Sequence, residues 1–107
     1  RFPASKGHVL IIPKKHVESI YDIEPECAGR LFELATRFST ILKKTFGNDG
    51  LNIVQNNGKA AGQTVMHYHL HMIPRYKDDG MELGWAADEN ITVEELQSYA
   101  EQIKKQM

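Results

Sequence analysis

One cysteine, Cys27, stands alone in 107 residues, so no disulfide can close within this sequence. Such usage fits a reducing compartment, and a cytoplasmic location is expected. Long apolar runs are missing too. None approaches the ~20 residues of a membrane-spanning helix, so no membrane partner is expected. Nor is there an excess of one charge: 13 basic residues face 14 acidic ones, interleaved rather than blocked. That balance leaves no electrostatic footprint for gripping a nucleic acid duplex, although a local phosphate site needs only a few donors. The sequence has no initiator methionine and opens on Arg1-Phe2-Pro3. It also lacks internal repeats, low-complexity tracts and linkers. A chain of this length supports one hydrophobic core and not two, so one domain over residues 1–107 is expected.

Histidine is what the chain does have, and three of its five lie in His67-Tyr68-His69-Leu70-His71-Met72-Ile73. Strict alternation over a short run predicts a β-strand, with His67, His69 and His71 on one face. Tyr68, Leu70 and Met72 then form the opposite face, packed into the body of the domain. Strand stability does not require three neighbouring imidazoles, which repel one another when protonated. Like charge and desolvation push their pKa values down, toward the neutral imidazole that attacks electrophiles and binds metals.

Upstream, Gly7-His8-Val9-Leu10-Ile11-Ile12-Pro13 reads as a buried strand closed by proline, with Lys14-Lys15-His16 leaving it for the surface. Alone, His8 and His16 read as a strand-start residue and a solvated loop residue. Asp22 to Glu26 reads as a helix start, acidic and with Pro25 in the first turn. Leu31, Leu34, Ala35, Phe38, Ile41, Leu42 and Phe46 continue it as one broad apolar stripe over about six turns. Gly47-Asn48-Asp49-Gly50 ends this helix, and Leu51 to Asn56 reads as a second strand. The loop Asn57 to Thr64 is small and polar, either a plain turn or a donor-rich wall for phosphate oxygens. Tyr76 to Asn90 reads as an irregular surface excursion. Thr92-Val93-Glu94-Glu95 has a capping-box pattern opening a final amphipathic helix with Val93, Leu96, Tyr99, Ala100 and Ile103 on one side. Strand, helix, strand, strand, helix predicts an α+β fold: a mostly antiparallel sheet with one long and one C-terminal helix.

Taken together, the His-x-His-x-His run with apolar residues between, the preceding Gly62-Gln63-Thr64-Val65 and the upstream Gly7 to His16 resemble the histidine triad (HIT) family. The similarity covers nearly the whole chain, is weaker from Tyr76 onward, and is strongest to the Hint-like nucleotide-binding branch. It implies a hydrolase of nucleoside phosphoramidates or related nucleotidyl conjugates, with purine nucleotides such as AMP conjugates as substrates. His69 would be the nucleophile at the α-phosphorus, forming a nucleotidyl-histidine, with its other ring nitrogen held by a main-chain carbonyl. His71 would contact the phosphate or leaving group, and His8 and His67 would complete the cluster. Asn56, Gly62, Gln63 and Thr64 match the family's phosphate-binding positions. The scheme requires no cofactor, and family members of this branch are usually homodimers.

Two departures from the family pattern stand out. The acid that grips the ribose hydroxyls would fall immediately before Arg1, so a chain truncated at its N-terminus is expected. Many bacterial members also carry an N-terminal Cys-x-x-Cys that joins residues matching His16 and His67 around a structural zinc, and that pair is absent. A dinucleoside polyphosphate hydrolase is the nearest enzymatic alternative. A nucleotide- or metal-binding module without turnover is the alternative of another class, since alternate histidines also suit zinc.

Overall fold

A computed structural model describes residues 2–107; Arg1, next to the expected ribose-binding acid, lies outside the described residues. The elements run β1 (Val9–Ile11), α1 (Pro25–Phe46), β2 (Gly50–Val54), a single 3-10 turn (Lys59–Ala61), β3 (Leu70–Arg75) and α2 (Val93–Lys104). β3 is central, antiparallel to β1 on one side and β2 on the other, giving the order β1-β3-β2. The α+β architecture agrees with the sequence.

α1 forms where expected. Pro25 and Glu26 occupy its first turn, and Gly47 closes it at φ 64°, donating its N–H to Lys43 O. A left-handed residue at that position is what glycine supplies without steric cost. Leu31, Ala35 and Leu42 are buried, and Phe38 and Phe46 pack beside them. They meet Ile11, Tyr68, Leu70 and Met72 from the sheet side. Each large side chain so buried contributes about 1.5–3 kcal/mol. The broad helical stripe nevertheless divides, because Leu34 and Ile41 stay about half exposed, at 49% and 51%. Those two sit on the flank turned from the sheet.

Two strands differ from expectation. β1 is short, and only alternate residues point inward. Ile11 is core, whereas Leu10 and Ile12 are exposed on the opposite face. The predicted histidine strand begins three residues late, at Leu70. Before it, the Tyr68 N–H donates to Val17 O at 2.7 Å rather than to a neighbouring strand. Pro13, which has no N–H, cannot extend β1 to meet that segment. His67 and His69 therefore stand in the approach to β3, and His71 alone lies within it. The apolar alternation still holds, with Tyr68, Leu70 and Met72 all buried.

The excursion after β3 is pinned at its base. Arg75 gives Nε–H and Nη2–H to both oxygens of Asp79, and Nη1–H to Asn52 Oδ1. It also reaches the Met81 carbonyl. The Arg75 hydrogen bonds hold the Asp79 carboxyl well below the usual carboxylate range. α2 is capped as the sequence predicts, with Thr92 Oγ1 accepting the Glu95 N–H at 3.1 Å. No residue of α2 is buried, and its apolar side is uncovered within the chain. The radius of gyration, 17.0 Å, accordingly exceeds the roughly 13 Å of a compact chain this long. Among the described residues no helix is long and apolar enough to cross a membrane.

Candidate active site

The register across β3 builds the site. Leu10 and Val54 lie directly opposite His71 on either side. His8, two residues before Leu10, is therefore a diagonal neighbour on the same face. His8 Nε2 and His71 Nδ1 are 2.9 Å apart, so one proton lies between them. The His69 ring stands edge-on to His71 with centroids 4.9 Å apart, and His8 lies 5.1 Å from His71 on its other side. Burial lowers the pKa of both His8 and His71, and in His71 the neighbouring His69 and His8 lower it further. Both rings are thus biased toward the neutral form.

The tautomer of His69 follows from its partner. Its Nδ1 lies 2.7 Å from the His67 carbonyl, an acceptor only, so Nδ1 carries the hydrogen. Neutral imidazole then has a bare lone pair on Nε2. Among the described residues nothing bonds that nitrogen.

His67 turns elsewhere. Its Nε2–H donates to Pro13 O at 3.0 Å, and its Nδ1 faces His16 Nδ1 at 3.2 Å. The five histidines therefore form two groups, His8–His71–His69 and His16–His67, joined through the His67 main chain. A cleft of about 280 Å³ opens between them, lined by Leu10, Ile12, Val65, His67 and His69. The three apolar side chains had no place in the sequence-based site. The signal was available: Leu10 and Ile12 alternate with His8 at a period of two.

The loop expected to hold phosphate separates into frame and free donors. Gln63 is buried, at 2% exposure, and its carboxamide is fully engaged. It accepts the Gly58 N–H at 2.8 Å and donates to Glu18 O and Val65 O. Gly62 gives its N–H to Lys59 O and takes φ 93°, a conformation suited to glycine. Those two residues shape the loop, and the Gln63 side chain has nothing left for phosphate. Gln55 and Asn57 clasp each other's amides, and Asn57 Oδ1 also accepts the Ile20 N–H. The side chains of Asn56 and Thr64 remain without partners among the described residues.

His16 and His67 suit two ligands of one metal. Two nitrogens on a tetrahedral zinc at about 2.0–2.1 Å lie roughly 3.3 Å apart, close to the observed 3.2 Å. The Pro13 carbonyl also orients the His67 ring as an outer partner would. No group of three or more such ligands occurs among the described residues. The pair fits half a site.

Comparison with known proteins agrees with this geometry. The HIT domain family matches residues 1–78. The chain is 39% identical over 105 residues to Protein hit of Bacillus subtilis, covering 96% of this chain and 72% of that one. It is 33% identical over 106 residues to an adenosine 5'-monophosphoramidase of Schizosaccharomyces pombe, covering 98% and 76% respectively. The crystal structure of a HIT family protein from Bacillus anthracis superposes with a TM-score of 0.87 at 41% identity, covering 96% and 74%. By sequence and by fold alike, the chain belongs to the HIT domain family.

Proposed function

We propose that this chain hydrolyses nucleoside phosphoramidates or related nucleotidyl conjugates at the α-phosphorus, taking purine nucleotides such as AMP conjugates. The observation that carries this reading is the 2.7 Å bond from His69 Nδ1–H to His67 O, which leaves Nε2 as an oriented nucleophile. The kinship with a yeast adenosine 5'-monophosphoramidase supports it.

In the first step His69 Nε2 bonds to the α-phosphorus and the bond from phosphorus to the leaving amine breaks. The amine takes the Nε2 proton of His71, and the negative charge left on the His8–His71 pair is offset by the positive charge that forms on His69, 4.9 Å away between ring centroids. The nucleotidylated His69 ring is cationic, and its Nδ1–H stays on the His67 carbonyl. Water then attacks phosphorus and yields a proton to His71, the bond from phosphorus to His69 breaks, and the nucleoside monophosphate leaves. Splitting one displacement into two is the gain of covalent catalysis. Asn56 and Thr64 supply donors to the phosphate oxygens, and Gly62 and Gln63 hold the loop that presents them.

The test is AMP release from an adenosine phosphoramidate in EDTA, by the parent and by His69→Ala, with alkali-quenched protein weighed for an attached nucleotidyl group. Release and adduct in the parent only are expected. Turnover surviving in His69→Ala overturns the assignment. A dinucleoside polyphosphate assayed in parallel ranks the alternative leaving group.

Two associations belong to the same proposal. A structural zinc would take His16 and His67 and need two ligands from outside the described residues. A second copy of the chain would cover the apolar sides left open on α1 and α2, where Leu34, Ile41, Leu96, Tyr99 and Ile103 are each about half exposed or more.

A further inference from the structure

The proton between His8 Nε2 and His71 Nδ1 can sit on either nitrogen, and the two arrangements differ chemically. If His8 holds it on Nε2, His71 keeps its own hydrogen on Nε2 and presents a donor beyond the pair. If His71 holds it on Nδ1, His71 Nε2 is bare and His8 must carry its hydrogen on Nδ1. The structure decides between them at the far end of His8. There the backbone N–H of Ala4 points at His8 Nδ1 from 2.9 Å. An amide N–H is a donor only, so Nδ1 must accept. The second arrangement would set two donors against each other.

The loop bringing Ala4 to this position is tied at several points. Ser5 Oγ–H donates to Pro74 O at 2.6 Å, on a part of β3 that β1 does not reach. Tyr76 Oη–H donates to Lys6 O at 2.7 Å, and the His8 N–H donates to Ser5 O at 3.2 Å. Gly7 takes φ 88° and lies so close to Phe46 that an added Cβ would sit 2.7 Å from its ring. α1 and the end of β3, through Phe46, Pro74 and Tyr76, thus fix the course of the five residues from Ala4 to His8.

We infer that the Ala4 backbone amide is a positioning group for the reaction. It locks His8 in the Nε2–H tautomer, which makes His71 Nδ1 an acceptor and His71 Nε2–H the proton donor to the leaving group. This deepens the proposed hydrolysis and rests on that reading for its catalytic consequence; the tautomer lock itself does not. Losing this solvent-exposed donor shifts the balance of the two arrangements by about three- to tenfold. Without the lock a fraction of molecules present a bare His71 Nε2, unable to protonate the departing amine.

The experiment replaces the Ala4 amide by an ester, which removes the N–H and leaves the side chain in place. Cys27 offers the junction for joining a synthetic segment of residues 1–26 to the remainder, and the all-amide chain is assembled in the same way. Long-range proton–nitrogen NMR correlations on the imidazoles then read the tautomers directly, at a pH where both rings are neutral. Expected in the all-amide protein are Nε2–H on His8 and on His71. Expected in the ester are mixed tautomers of His8, kcat lower by about two- to fivefold in proportion to the Nε2–H fraction lost, and KM essentially unchanged. His8 protonated on Nδ1 in the all-amide protein overturns the inference, as does an ester with unaltered tautomers. A protein with the expected tautomers and no turnover would refute the proposed hydrolysis and leave the lock standing.

Discussion

His67 and His69 act in opposite directions from one short segment. The His67 carbonyl accepts the His69 Nδ1–H at 2.7 Å, while the His67 ring turns away and gives its Nε2–H to Pro13 O at 3.0 Å. One residue thereby orients the His69 ring, the proposed nucleophile, through its main chain and anchors the segment through its side chain. Replacing the His67 ring consequently disturbs His69 without removing its partner.

His69→Ala is expected to lower kcat by about a thousandfold or more, because no other lone pair is placed to form the adduct. His69 is only half buried, so thermal unfolding should stay within a few degrees of the parent. A variant that unfolds much earlier would show that the ring is needed for packing, and the kinetic loss would lose its meaning.

Acidification should destabilise the fold through His8 and His71. Burial lowers both from their ordinary value of 6.5. As pH falls through that value the unfolded chain takes up these protons first, so stability declines with falling pH until the lowered folded values are passed. Above the ordinary value they contribute no slope. Denaturant titrations between about pH 7.5 and 5 should show a shallower decline in the His8→Gln, His71→Gln double variant. Equal slopes would refute the assignment.

Gln63→Ala and Asn56→Ala should separate frame from binding. Truncating Gln63 strands the Gly58 N–H and the Glu18 and Val65 carbonyls, and should cost about 2–4 kcal/mol in urea unfolding. Asn56→Ala should leave stability nearly unchanged and reduce kcat/KM by about tenfold or more. A reversed pattern would return Gln63 to the phosphate.

Ile12→Asn and Val65→Asn should each raise KM about three- to tenfold with little change in kcat, since both replace half-exposed apolar surface of the cleft. An unchanged KM would place the substrate elsewhere.

Leu96→Glu combined with Ile103→Glu adds two charges to the uncovered side of α2. Sedimentation should show the variant shifted toward monomer at concentrations where the parent is a dimer, with α1 and the sheet still folded. An identical profile for both would remove α2 from the proposed interface.

Periodicity made the core legible. Leu31, Ala35, Leu42, Tyr68, Leu70 and Met72 were all marked by spacing alone, because burial on one face of a helix or strand leaves a repeat. The clustering of His69 with His71 was legible through three histidines in alternation. Much else was not, since it depends on residues far apart in the chain meeting by main-chain groups that every residue carries. The Val17 carbonyl that draws Tyr68 out of the ladder, the Pro13 carbonyl that turns His67 aside and the Ala4 amide have no sequence mark. Gln63 was misleading for a related reason. A carboxamide can serve a ligand or its own loop equally well, and only the positions of Gly58, Glu18 and Val65 decide between them.

Arg75 has a consequence for how far α2 can travel. By gripping Asp79 and the Met81 carbonyl it ties the chain to the end of β3 as far as Met81. The tether from there to Thr92 spans at most about 36–40 Å when fully drawn out. A surface within that radius meets the stripe of Leu96, Tyr99 and Ile103 as a tethered ligand at an effective concentration near millimolar. A weak groove is then enough to hold it, and cutting the Arg75 grip would lengthen the leash and dilute the helix.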